Sequence, residues 1–343
     1  MATMKATLMY GPGDVRVEEV ERPVIEQPTD AVIRMLSTCV CGSDLWPYRG
    51  LEGEFPEPRR MGHEYVGVVE EVGSDVKDIK VGDYVVGSFC LSDMTCDICK
   101  AGYPSRCMHG GFVGTAQAQY LRVPLADGTL VAAPGKPTDE QLVDLTAASD
   151  VLGTGWFAAD EAQAGLGKTI VVVGDGAVGL SGVLAAQQLG ASRIIAMSRH
   201  ADRQALAKEF GATDIVEERG DEGVAKIMEL TGGVGADGVV EAVGTQQSMM
   251  QAIACCRPGG YVGYVGVSHG VQLDGGQLFF SEVHLMGGPA PVRKYLPEFI
   301  DKIYKGEMHP GKVFTKTVNL DDIAEGYRAM DQREAIKVRV RPW

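Results

Sequence analysis

Apolar and polar positions follow two different patterns along this chain. Up to about residue 130 the apolar runs are short and β-like, with little helical periodicity. Lys5–Tyr10, Ala31–Thr38, Tyr65–Val72, Asp83–Cys90 and Ala118–Val123 are such runs, each bounded by Gly, Pro or Asp signals. They predict an antiparallel, barrel-like β domain. From about Gly153 strand-like runs alternate with amphipathic helices. Thr169–Val173 is an uninterrupted apolar run, and Val178–Leu189 reads as a helix stopped by Gly190. Arg193–Met197, Asp202–Phe210, Asp214–Val216, Gly223–Leu230, Gly238–Val240, Gln246–Cys255 and Tyr261–Val265 continue the alternation. Strands alternating with helices imply right-handed crossovers and a parallel sheet. Beyond residue 290 the pattern predicts a helix at Arg293–Lys305, a strand at Val313–Val318, a helix at Asp321–Met330 and a β run at Ile336–Val340. These could extend the parallel sheet or return to the first domain. The fold class is therefore α/β. Its expected domains are residues 1–152, residues 153–290, and a C-terminal segment 291–343 that completes the second domain and returns to the first.

Length and composition bound the chemistry. The chain has 343 residues, enough for two domains, with an ordinary globular balance of 45% hydrophobic and 23% charged residues. A formal charge of −14 argues against a nucleic-acid partner, which needs basic patches. No run approaches the ~18 apolar residues of a membrane span, and the first residues lack an apolar signal core, so a cytoplasmic protein is expected. Forty-five glycines are spread along the chain without a low-complexity tract. They imply many tight turns and close backbone approaches.

Eight cysteines are present, four of them between Cys90 and Cys107. A cytoplasmic chain rarely keeps disulfides, and clustered cysteines there are more often metal ligands. Cys96, Cys99 and Cys107 stand as Cys-x2-Cys-x7-Cys, with Asp93 three residues before Cys96 and Cys90 three earlier still. A closed zinc site needs four ligands, so either Asp93 or Cys90 could complete it. Cys255 and Cys256 lie in an apolar run and read as buried filler.

Gly174-Asp175-Gly176-Ala177-Val178-Gly179 fits Gly-x-Gly-x-x-Gly, directly after an apolar strand and at the start of a helix. That context makes it a dinucleotide fingerprint. Gly174 allows the turn, Gly176 lets backbone approach a pyrophosphate, and Gly179 lets helix and strand pack closely. The helix start at Ala177 and Val178 adds free N–H groups and a positive dipole end. An acidic residue about 20 positions on would bind the ribose 2′-hydroxyl of NAD. Here Ser198 takes that place, 19 residues after Gly179, followed by Arg199, His200 and Arg203. A carboxylate would repel a 2′-phosphate, whereas Ser with Arg would bind it, so the expected cofactor is NADP(H).

Cys41-Gly42-Ser43-Asp44 ends one β run, and Gly62-His63-Glu64 enters another. Thiolate, imidazole and carboxylate are ligands that zinc accepts. With CGSDL, GHE, the three-cysteine lobe and the late VVVGDGAVG in this order, the chain resembles the zinc-dependent medium-chain alcohol dehydrogenases over nearly its whole length. The resemblance implies a GroES-like β-barrel catalytic domain and a Rossmann domain with a doubly wound parallel sheet. It places the active site in the cleft between them. By position, Cys41 and His63 resemble the first two catalytic zinc ligands. Glu64 resembles a carboxylate that binds zinc or stands just behind it. Asp150, ahead of a Thr-Gly turn, resembles the third ligand. Ser43 resembles the first relay hydroxyl. Many relatives continue the relay with a His three residues later, where this chain has Trp46. Lys337 resembles a basic residue set against the cofactor pyrophosphate. A second, structural zinc on the lobe has four cysteines in many relatives. That register favours Asp93 with Cys96, Cys99 and Cys107, and Cys90 stays as the rival.

The expected activity is hydride transfer between NADP(H) and a small alcohol, ketone or aldehyde at a zinc site, in a homodimer or homotetramer. An NAD-linked polyol or other specialised alcohol dehydrogenase of the same family is the nearest alternative. Zinc-free quinone reductases are disfavoured by Cys41, His63 and Asp150, and a non-enzymatic NADPH-binding protein by the complete open metal site. Trp46, His109, Phe112 and Trp156 are candidate substrate-pocket residues.

Overall fold

The computed structural model describes residues 2–53 and 55–343. The chain divides into two compact units, residues 1–150 with 291–343, and residues 151–290.

The first unit opens with β1 (Thr3–Gly11) and β2 (Asp14–Glu21), an antiparallel hairpin whose turn uses Gly13 at φ +73°. β3 (Ala31–Val40) is the long central strand, and β4 (Arg59–Arg60) pairs with β1. β5 (Tyr65–Val72) lies antiparallel to β3 through two register shifts, and β6 (Tyr84–Gly87) lies on β5. β7 (Cys90–Leu91) and β8 (Gly111–Phe112) form a short ribbon at the root of the cysteine lobe. β9 (Tyr120–Val123) pairs with β3, and β10 (Leu130–Ala132) with β6. Inward side chains of β3, β5, β6 and β9, among them Ile33, Met35, Val69, Val85 and Leu121, form one core. A helix, Asp139–Ala148, then starts on a reciprocal cap between Thr138 and Gln141 and ends just before Asp150.

The second unit is a six-stranded sheet: β11 (Thr169–Val173), β12 (Arg193–Met197), β13 (Asp214–Val216), β14 (Ala236–Glu241), β15 (Cys256–Tyr264) and β16 (His284–Gly287). Every pairing is parallel and the order is β13-β12-β11-β14-β15-β16. Strand order reverses between β11 and β14, and in open α/β sheets ligands bind at that point, beyond the carboxyl ends of the strands. The helices Ala177–Gln188, Ala201–Glu209, Gly220–Leu230, Gln246–Cys255 and Gly275–Ser281 make the crossovers. Strands covered on both faces must be apolar throughout, which is why Ile170–Val173 is buried without alternation.

The C-terminal segment corrects one expectation. β17 (Phe314–Asn319) and β18 (Lys337–Arg341) are parallel to one another, and neither joins the six-stranded sheet. β18 instead pairs antiparallel with the end of β3, Val338 opposite Val40 and Arg339 opposite Cys39. Val338 and Val340 are wholly buried there, so their apolar face finds its partner in the first unit. The helix Ile323–Asp331 packs on the same strands through Ile323, Tyr327 and Met330. This arrangement puts Lys337 and Tyr327 beside the chain turn that carries Cys41.

Candidate metal centres and nucleotide loop

Cys41 stands at the first residue past β3. The turn that follows is closed by Asp44, whose Oδ2 accepts the Cys41 N–H at 2.9 Å, while the Asp44 N–H donates to the Cys41 carbonyl at 3.1 Å. His63 and Glu64 lie just before β5. Gly62 precedes them at φ +91°, and a Cβ there would come within 2.5 Å of the Gln117 side chain, so only glycine lets the chain pass. The Glu64 carbonyl accepts from the Thr38 hydroxyl at 2.7 Å, tying this turn to β3. Asp150 comes from the end of the preceding helix.

Fold geometry brings these four together. One ligand atom each from Cys41, His63, Glu64 and Asp150 lies within 4.8 Å of the others. Asp150 Oδ2 is 3.7 Å from Cys41 Sγ and 3.2 Å from His63 Nε2. Cys41, Glu64 and Asp150 are buried, and Glu64 is only 1% exposed. Burial pushes the Cys41 thiol and the Glu64 carboxyl up, with the Lys337 ammonium working against both shifts. Burial disfavours protonated His63, but Cys41 and Asp150 outweigh it and hold the imidazole's pKa well above its ordinary value. So many acidic donors around one imidazole need positive charge to stay ionised. Glu64 Oε2 is buried without a hydrogen-bond partner among the described residues. A sulfur, an imidazole nitrogen and carboxylate oxygens in this arrangement fit zinc.

Lys337 has a partner that the expectation did not include. The expectation set it against a cofactor pyrophosphate. It is 1% exposed, and its Nζ donates to Glu64 Oε1 at 2.6 Å and to the Val40 carbonyl at 3.3 Å. Burial lowers the affinity of this amine for its proton, but Cys39 and Glu64 reverse the effect and raise its pKa well above the usual lysine value. This buried ammonium, on a strand that packs against β3, is the counter-ion of Glu64 in the candidate ligand set.

The lobe gathers its own set. Ligand atoms of Asp93, Cys96, Cys99 and Cys107 lie within 4.8 Å of one another, and Cys90 is not among them. Asp93 Oδ1 accepts the N–H groups of Thr95 at 2.8 Å and Cys96 at 3.0 Å and sits 3.5 Å from Cys99 Sγ. Its Oδ2 is 2.6 Å from His109 Nδ1. Burial is the largest single influence on Asp93 and raises its pKa, but the His109 contact and these N–H groups together outweigh it and hold it far below the usual carboxylate range. Backbone N–H groups of Met108 and Cys99 bring the Cys96 thiol down to about 7, so a thiolate forms readily there. Cys90 is 2% exposed in β7, and burial pushes its thiol up.

In the second unit Gly174 takes φ +116° at the end of β11, and Gly176 caps the helix Ala177–Gln188. A Cβ on Gly179 would lie 2.0 Å from the Gly174 carbonyl oxygen, so this close packing admits only glycine. The N–H groups of Ala177, Val178 and Gly179 lie in the first turn, which has no carbonyl behind it. Ser198, the first residue past β12, donates to Asp175 Oδ2 at 2.8 Å. Arg203 is also drawn to the loop, with Nη1 3.1 Å from Asp175 Oδ1. Arg203, expected among the residues that bind a 2′-phosphate, already faces a carboxylate here. Arg199 is exposed, and His200 Nε2 is buried without a partner among the described residues.

Comparison with known proteins agrees with this geometry. Residues 27–135 match the family model described as alcohol dehydrogenase GroES-like domain, and residues 177–304 match that described as zinc-binding dehydrogenase. A protein of Mycobacterium tuberculosis described as "Probable zinc-binding alcohol dehydrogenase" is 36% identical over 98% of this chain and 88% of its own length. An "NADP-dependent isopropanol dehydrogenase" of Entamoeba histolytica is 32% identical over 97% of this chain and 94% of its own. The solved alcohol dehydrogenase from Thermus sp. ATN1 superposes with a TM-score of 0.88 at 30% identity, covering 98% of this chain and 99% of that one. The chain belongs to the zinc-dependent medium-chain alcohol dehydrogenase family and is an oxidoreductase of that type. Among the described residues no helix is long and apolar enough to cross a membrane.

Several residues at these sites were not legible in advance. Phe89 stands edge-on to His63 with ring centroids 6.1 Å apart, and Phe112 stacks on Phe89 at 6.3 Å. Gln117, Tyr327 and Asp175 also escaped the sequence reading. An isolated Gln in a loop or Tyr in a helix carries no signal, whereas Asp175 lay inside the glycine fingerprint and could have been weighed against Ser198. Of the suggested pocket residues, Trp156 is 4% exposed inside the second unit's helix Val151–Glu161, and His109 is bound to Asp93.

Proposed function

We propose that this chain is an NADP(H)-linked, zinc-dependent dehydrogenase that interconverts small alcohols with ketones or aldehydes. The observation that carries this reading is the convergence of Cys41, His63, Glu64 and Asp150, from three distant chain segments, within 4.8 Å. Cys41, His63 and Asp150 would hold zinc, with Glu64 as a further donor or a carboxylate just behind it. When bound, zinc acts as a Lewis acid on an alcohol or carbonyl oxygen. Ser43, half-buried two residues after Cys41, offers a hydroxyl that can take and pass on the substrate proton. Trp46 cannot shuttle a proton at neutral pH. Both contacts of Asp44 Oδ2 are N–H donors, from Cys41 and Gln117, so Asp44 serves the turn instead of the relay. The proton therefore leaves Ser43 through water or the cofactor's ribose hydroxyls. Phe89 and Phe112 give His63 an apolar neighbour, which favours an alcohol with apolar substituents over a polyol.

NADP(H) is supported by Ser198 just past β12, by the exposed Arg199, and by the description of the Entamoeba relative. A specific observation favours the NAD-linked alternative: the Asp175 carboxylate lies 2.8 Å from Ser198, so an acid does stand near the expected ribose site. Fluorescence titration decides between them. A charge-assisted bond of about 1.5–3 kcal/mol makes NADPH at least about tenfold tighter than NADH. Arg199→Ala should remove most of that difference, and equal affinities in the unaltered protein would rule out the NADP assignment. A scan of small alcohols and carbonyls at 340 nm, with and without a chelator, tests the activity itself. No turnover with any of them would favour a binding protein.

A further inference from the structure

The C-terminal segment reaches the buried metal-ligand set by a second route besides Lys337. Tyr327, on the helix Ile323–Asp331, is fully buried, and its hydroxyl lies 2.9 Å from Gln117 Oε1. Gln117 is fully buried too. Its Nε2 makes two contacts, with the Cys39 carbonyl at 3.1 Å and with Asp44 Oδ2 at 3.1 Å. Asp44 Oδ1 faces His63 Nδ1 at 3.6 Å, and His63 Nε2 points the other way, 3.2 Å from Asp150. The Gln117 backbone is equally fixed, with its N–H on the Met61 carbonyl at 2.9 Å and the Ala116 N–H on the Gly62 carbonyl at 2.9 Å.

The direction of this chain is set by chemistry. A carbonyl and an ionised carboxylate only accept, so the amide must turn its nitrogen toward Cys39 and Asp44. Its oxygen then faces Tyr327, whose hydroxyl must donate. Without that donor the amide oxygen is left buried and unpaired, and any shift or turn of the amide that satisfies it pulls Nε2 away from Asp44. Asp44 would then lose a side-chain donor, and His63 the fixed carboxylate behind its Nδ1. Ring orientation and tautomer of a ligating histidine are set by the partner of its other nitrogen.

We propose that Tyr327 and Gln117 are positioning residues that fix Asp44, and through it the imidazole of His63, so that Nε2 is presented to the metal. The proposal rests on the zinc reading of the Cys41 set. The test uses the full-length protein, its Tyr327→Phe and Gln117→Met variants, and cobalt(II) as the probe. Affinity is measured by chelator competition and ligand geometry by visible absorption. The Asp150→Ala protein supplies the contribution of the lobe alone. Loss of an outer partner of a ligand is expected to weaken binding at the buried set about 10–100-fold and to shift its absorption bands, with lobe binding unchanged. Wild-type affinity and spectrum in both variants would overturn the proposal. So would an equal loss at both sites, which would mark a general loss of structure. If the unaltered protein takes up no cobalt that Asp150→Ala removes, the zinc reading itself fails and the proposal with it.

Discussion

The two candidate metal-ligand sets of the first unit are built in opposite ways. The lobe set is local: Asp93, Cys96, Cys99 and Cys107 lie within one short segment, and the side chain that steadies Asp93, His109, comes from the same segment. The buried set is assembled from the end of β3, the start of β5 and the end of a helix near residue 150. It is backed by Lys337 from the C-terminal strand. A local set needs little more than its own loop. A dispersed set exists only when the whole unit has folded around it, and it can be shaped by residues from far along the chain. That is the arrangement expected of a site whose geometry must be held for chemistry.

The largest effect that tests this contrast is removal of a dispersed ligand. Asp150→Ala should release one zinc per chain and lower turnover by on the order of a thousandfold, at or beyond the upper end for a single donor at a reacting oxygen. The lobe zinc should remain. Metal counting with an alcohol assay checks it, and near wild-type turnover with full zinc content would exclude Asp150 as a ligand.

A smaller effect separates the two roles considered for Lys337. As the buried partner of Glu64, its removal leaves a buried carboxylate without its counter-ion. Breaking such a pair costs roughly 3–5 kcal/mol. Lys337→Met should therefore lower the stability of the metal-free protein in denaturant titration by about that much. It should leave coenzyme affinity within about twofold, because the ammonium is buried on Glu64 and not turned to a phosphate. A variant with unchanged stability but much weaker NADPH binding would restore the phosphate role.

The same contrast explains what the sequence made legible. The grouping of Asp93, Cys96, Cys99 and Cys107 could be read from the sequence, because these residues are neighbours in the chain and their spacing is itself the signal. The glycine fingerprint was legible for the same reason. Cys41, His63 and Glu64 stood out only as fragments, and Asp150 was reached through resemblance, since no local pattern marks a lone aspartate after a helix. For Lys337 the resemblance suggested a phosphate, whereas its partner in the structure is Glu64. Strand β18 was foreseen, but its pairing with β3 was not, and that pairing decides what the lysine meets. Gln117 and Tyr327 were invisible because long-range hydrogen bonds leave no periodicity. The helices Asp139–Ala148 and Val151–Glu161 were also missed, since their small and apolar residues run on without a clear polar face.

The smallest effect on catalysis, and the sharpest on the lobe, comes from its fourth ligand. Asp93 offers Oδ1 toward Cys99 while His109 holds Oδ2, and Cys90 is buried in β7 outside the cluster. An aspartate oxygen binds zinc slightly closer than a thiolate does, at ~2.0–2.2 Å against ~2.3 Å, and keeps the same ligand charge. Asp93→Ala should therefore weaken zinc at the lobe by more than the ~10–100-fold expected on losing an outer partner, and lower thermal stability with it. Cys90→Ala should keep that zinc, because burial favours the neutral thiol over the thiolate that a metal needs. In both variants the buried set should keep its zinc and turnover should change by no more than about threefold, since the lobe contributes none of its ligands. Two zinc ions retained in Asp93→Ala, with one lost in Cys90→Ala, would reverse the assignment. Loss of both ions in Asp93→Ala would show that the lobe is not as independent of the rest of the unit as its short span implies.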